Sequence, residues 1–167
     1  MKRNSMAVFS FIALAAAFAV AQSPAQKSFD AMKSLVGNWE GKTAMGDSVS
    51  VSYRMTAGGS ALMAEIQNQM NGKNEDMISM IHMDGDRLLL THYCAAGNQP
   101  RMAATASADG KIITFNFVDG TNLASPETGH MQRVIFTFTD ATHHTEEWHF
   151  ALPNQEMVEK FELQKKS

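Results

Sequence analysis

The feature that most constrains this chain is a two-residue hydrophobic period broken at short intervals by turn signals. Val49, Val51, Tyr53 and Met55 alternate with Ser50, Ser52 and Arg54, the pattern of a strand with one wet face. Turn residues then recur at Gly46-Asp47, Gly58-Gly59, Asn71-Gly72, Asp84-Gly85-Asp86, Gly97-Asn98, Asp109-Gly110, Asp119-Gly120, Asp140-Ala141 and Pro153-Asn154. Each supplies a residue that tolerates positive φ or bonds its own backbone. Between them lie ten strands, at roughly 38–45, 48–56, 61–70, 76–83, 87–94, 101–107, 111–118, 129–139, 143–151 and 156–164, with one longer loop at 119–128.

Strands at this spacing, with no helix between them, imply antiparallel hairpins. Closing such a meander removes its two exposed edges. The expected fold is therefore all-β: an antiparallel meander β-barrel of about ten strands, with a two-sheet sandwich as the alternative. Ten strands also enclose more space than side chains readily fill, so an internal cavity is expected.

The N-terminus has a different character. Lys2 and Arg3 precede an apolar run from Met6 to Val20, and Ala19-Val20-Ala21 places small residues where a signal peptidase reads. The run is shorter than the roughly 20 residues needed to span a bilayer. Residues 1–21 read as a cleavable signal peptide and 22–27 as a flexible leader. Residues 28–167 read as a single barrel domain, exported to the periplasm or beyond the cell. No later segment is apolar enough for a membrane helix. A short helix from Phe29 to Leu35 is expected, capped by Ser28, with Phe29, Met32, Leu35 and Val36 on one face and Gly37 ending it.

Charge and cysteine content narrow the function. The chain has 17 Asp and Glu against 14 Lys and Arg, and two of those cations lie in the signal peptide. With no basic stripe, nucleic acid is a poor partner. Cys94 is the only cysteine, so the exported domain forms no internal disulfide and stands on its core.

The segment Leu35-Val36-Gly37-Asn38-Trp39-Glu40-Gly41 carries a resemblance. A short helix running into Gly-x-Trp at the first strand resembles the opening of lipocalins and fatty-acid-binding proteins, the calycin type, and of small exported bacterial lipocalin-like proteins of uncharacterised function. The stretch from Leu90 to Met102 also resembles those exported proteins. The resemblance implies a barrel with a ligand cavity, with Trp39 plugging its closed end beneath the N-terminal segment. Haem-binding barrels of the nitrobindin type begin similarly but carry an axial His near the C-terminus. The last strand here, Glu156 to Leu163, has none, and no cofactor is expected.

The densest polar cluster is His92, Cys94, Asn98, Gln99 and Arg101. His92 and Cys94 are two apart on a strand and share a face with Leu88 and Leu90. A His and a thiol on an apolar face suit a cavity that orients a ligand, and Arg101 would offer a fork to a carboxylate. Asn122 and His130 flank the loop that would cover an open end. The expected ligand-binding residues are thus His92, Cys94, Arg101, Asn122 and His130, around a small apolar molecule. The alternative is a small exported enzyme or metal-binding protein using His92 and Cys94; a barrel filled by its own side chains is a third reading.

No catalytic set emerges. Side chains at i and i+2 lie parallel, and no oxyanion-hole turn precedes Cys94. His143, His144, Glu146, Glu147 and His149 divide between the two faces of a strand, and zinc would need a further ligand such as His130. Met77, Met80, His82 and Met83 divide in the same way, so the methionines read as an adaptable lining, not a copper site.

Overall fold

The structure is a computed structural model, described over residues 22–70, 72–125 and 127–167. The signal peptide expected over residues 1–21 lies outside the described residues. Ten strands follow one helix: α1 (Pro24–Lys33), β1 (Gly37–Thr43), β2 (Ser48–Thr56), β3 (Ala61–Met70), β4 (Lys73–Asp84), β5 (Arg87–Tyr93), β6 (Gln99–Ala106), β7 (Ile112–Thr121), β8 (His130–Phe138), β9 (His143–Leu152) and β10 (Gln155–Lys165). Each strand pairs antiparallel with its neighbours in sequence. β1 pairs with β10, from Trp39 opposite Lys165 to Thr43 opposite Phe161, and so closes the barrel. The meander expected from the alternation is the one observed, and it is consistent with a calycin-type fold.

The period of two sets the core. On β2, Val49, Val51 and Tyr53 are buried while Ser48 and Arg54 are exposed. Opposite them Ile66 and Ala64 on β3 point inward in register with Val51 and Tyr53. At Gly41 the barrel needs glycine, because a Cβ there would lie 1.8 Å from the Glu162 carbonyl oxygen of β10. The two strands approach too closely for any side chain.

The helix starts earlier than the sequence reading placed it. Ser23 is the N-cap, its hydroxyl accepting from the Gln26 amide, and Pro24 occupies the first turn, where its missing N–H is no loss. Residues 24–27, expected as leader, are therefore helical, and Ser28 is an interior residue bonded to the Pro24 carbonyl. Phe29 and Met32 bury the inner face of α1 in the core. The helix packs on β4, β5 and β6, beside the β4–β5 and β6–β7 turns, and closes that end. Trp39 is buried in the same core, its indole N–H donating to the Leu35 carbonyl at 2.6 Å.

The other end is looser. β5 pairs with β6 only over Leu89–Thr91, and β7 with β8 only over Ile112–Asn116. Register shifts at Arg101/Met102 and at Met131/Arg133 bend β6–β7 and β8–β9 there. The long loop expected at 119–128 is shorter, because β7 runs on to Thr121.

Candidate functional site

A cavity of about 300 Å³ opens at the end away from α1. Its walls are Ile66 and Asn68 from β3, Glu75 and Met77 from β4, and His92 from β5. Cys94 to Ala96 of the β5–β6 turn, Met131 of β8, Trp148 and Phe150 of β9, and Met157, Val158, Glu159 and Phe161 of β10 complete it. Most of this lining is aliphatic, thioether or aromatic, with a few polar atoms placed among them.

His92 is the most constrained of these. It is 1% exposed, and its Nδ1 lies 2.9 Å from the Ser79 hydroxyl across the β4–β5 pair. Its ring lies 4.7 Å from the Trp148 indole. Burial pushes its pKa down to about 4, so the imidazole is neutral at physiological pH. Its Nε2 is buried without a partner. Two further side chains of the lining share that condition: Asn68 Oδ1 on β3 and Glu159 Oε1 on β10. Buried polar atoms are nearly always paired, so three unpaired ones on side chains that line one cavity are the feature a hydrogen-bonding guest would answer.

Cys94 lines the same cavity, half-buried. Burial raises its thiol pKa and nearby Glu75 adds to the rise, while an Ala96 backbone hydrogen bond lowers it. The thiol therefore stays protonated at neutral pH. His92, with a depressed pKa and no carboxylate behind it, is a poor base for it. The pair lacks the features that activate a nucleophile.

The other expected site residues lie at the rim or outside. Arg101 points outward and makes a two-pronged ion pair with Asp119. Asn122 has a positive φ and donates to the Gly97 carbonyl at 2.6 Å. His130 stacks on Phe117 at 4.4 Å, its Nδ1 2.7 Å from the Thr128 carbonyl. Buried Asn98 donates to the Gly129 carbonyl at 2.8 Å. Asn98 and Asn122 thus hold the β5–β6 turn, one wall of the cavity, against the loop after β7. Of the five residues picked from the sequence, the structure brings His92 and Cys94 together in the cavity and leaves Arg101, Asn122 and His130 around it.

The histidine-rich stretch of β9 divides between faces as the strand period requires. Its inner half is not wet. Glu146 is 0% exposed; its Oε1 accepts from the Tyr53 hydroxyl and faces His144 Nε2 at 3.1 Å, and its Oε2 accepts from the Trp148 indole at 3.0 Å. His144 meets Trp39 edge-to-face at 4.3 Å. Burial, and after it the neighbouring Glu146, hold the Tyr53 phenol well above its usual pKa. On the outer half His149 is 6% exposed, covered by Arg133, Glu147 and Glu156. Among the described residues no group of three or more His, Cys, Asp or Glu side chains is arranged to hold a metal ion. On β4, Met77 faces the cavity and its neighbours Met80 and His82 do not line it.

The sequence pattern did not single out Asn68, Trp148 or Glu159, and it took Glu146 only as a member of the histidine-rich set on β9. The signal was there for each. Asn68 continues the inward series Ala64, Ile66; Glu159 precedes Phe161 and Leu163 at the same period; and Glu146 alternates with Trp148.

No protein-family model and no curated protein sequence matches this chain, so the reading of the site stands on its geometry.

Proposed function

We propose that this protein is an exported, non-enzymatic binder of a small, largely apolar molecule, held in the cavity at the open end of the barrel. The observation that carries the reading is the trio of unpaired buried atoms, His92 Nε2, Asn68 Oδ1 and Glu159 Oε1, on side chains of a mostly apolar wall. Sites of this kind orient a ligand with few polar groups and hold it with apolar surface. The cavity is at the lower end of the roughly 300–1,000 Å³ usual for small-molecule sites. A compact ligand fits better than a long acyl chain. The protonated Cys94 thiol supports binding over catalysis. Export rests on the charged start, the short apolar run and Ala19-Val20-Ala21.

The neutral fluorophore N-phenyl-1-naphthylamine tests the reading. It is expected to saturate at one per chain. Met131→Trp, which places an indole in the cavity, should weaken it about tenfold or more, a loss of roughly 1.4 kcal/mol. Binding that never saturates, or that ignores a folded Met131→Trp, overturns it.

A further inference from the structure

We propose that the ligand of this cavity is an organic amine, an amino or ammonium group carried on a compact aromatic or aliphatic body. The inference rests on the small-molecule reading above and names its chemical class.

The unpaired buried atoms on the side chains that line the cavity are of one kind. Asn68 Oδ1 and Glu159 Oε1 accept hydrogen bonds and do not donate them. His92 Nε2 also accepts in the tautomer whose Nδ1–H donates to Ser79. Asn68 and His92 are 4% and 1% exposed, so water does not readily satisfy them. A guest that satisfies all three is a multiple donor, and an ammonium has three N–H groups.

Charge points the same way. The lining has two carboxylates, Glu75 and Glu159, and no lysine or arginine. Arg101, the cation nearest in sequence to the cavity turn, is turned outward and neutralised by Asp119. A carboxylate ligand would meet like charge without a counter-ion. Burial raises the pKa of Glu159, partly offset by Thr43 and the Ala44 backbone, and a bound cation relieves that cost of burial. The walls suit the rest of the guest. Trp148, Phe150 and Phe161 present rings to the cavity, and aromatic faces attract a desolvated cation.

Three matched probes separate this inference from the reading beneath it: tryptamine, its neutral analogue tryptophol, and indole-3-acetate. Calorimetric titration of the signal-free chain should rank tryptamine tightest, about tenfold above tryptophol, from a charge-assisted bond to the carboxylate. Indole-3-acetate should be weakest. Glu159→Gln keeps the side chain's shape, and should bring tryptamine to within about twofold of tryptophol when both are measured on that variant. If tryptophol binds as well as tryptamine, or if the amine preference survives Glu159→Gln, the amine assignment falls and the cavity reading stands. If none of the three binds, both fall.

Discussion

The Trp148 indole faces the His92 imidazole at 4.7 Å, with 41° between the ring planes, while its N–H reaches back 3.0 Å to Glu146. One side chain thus joins the buried polar network of the barrel interior to the wall of the cavity. Glu146 holds Trp148, and Trp148 backs His92. Glu146→Gln keeps the volume but replaces one of the two oxygens that accept from Tyr53 and Trp148 with an amide group that cannot accept. Leaving a buried donor without its acceptor should cost roughly 1–3 kcal/mol. Urea unfolding should show the lower midpoint, and near-ultraviolet dichroism a changed Trp signal. An unaltered midpoint contradicts a structural role for this network.

His92 makes stability depend on pH. Its folded pKa, about 4, lies below the usual histidine value of 6.5. Between those values the unfolded chain binds a proton that the folded chain does not, so stability rises with pH across that window and is lost as pH falls. The full effect is about 3 kcal/mol, on the order of 1.4 kcal/mol per pKa unit. Unfolding free energies at pH 7 and pH 4.5 should diverge more for the native protein than for His92→Asn. Equal slopes for the two would place the acid sensitivity elsewhere.

The ion pair of Arg101 with Asp119 lies on the outer surface, clear of the cavity. Arg101→Ala should leave the affinity for N-phenyl-1-naphthylamine unchanged, whereas Asn68→Leu, which removes an inward polar atom, should raise it for this apolar probe. A loss of affinity in Arg101→Ala would show that the ligand reaches outside the barrel.

Cys94 is raised in pKa and only half-exposed. Its reaction with a disulfide reagent at pH 7 should be slower than that of glutathione and should accelerate on unfolding. A rate above that of glutathione would restore the nucleophile reading of His92 and Cys94.

The strands were legible because each needs only its own alternation and flanking turns, and all ten fall close to where that pattern puts them. The helix start was missed although Ser23-Pro24 is a cap followed by a favoured first residue. It lies beside the expected cleavage point, where a flexible leader also fits. The site was half legible. His92 and Cys94 follow from the face they share with Leu88 and Leu90, but Arg101 precedes a register shift and turns outward while Met102 turns in. The burial of Glu146 stayed hidden because a charged residue ordinarily marks a wet face. Its partner Tyr53 is 93 residues away, and no local pattern reports a neighbour across a barrel.

The central claim is that a guest meets His92 inside the barrel. Long-range proton–nitrogen spectra of the histidine rings during titration with tryptophol at pH 7 test it most directly. His92 is expected to be neutral at the start, and its Nε2 resonance to shift saturably as the ligand binds, while exposed His143 stays in place. Saturable binding with His92 Nε2 unmoved would contradict the account.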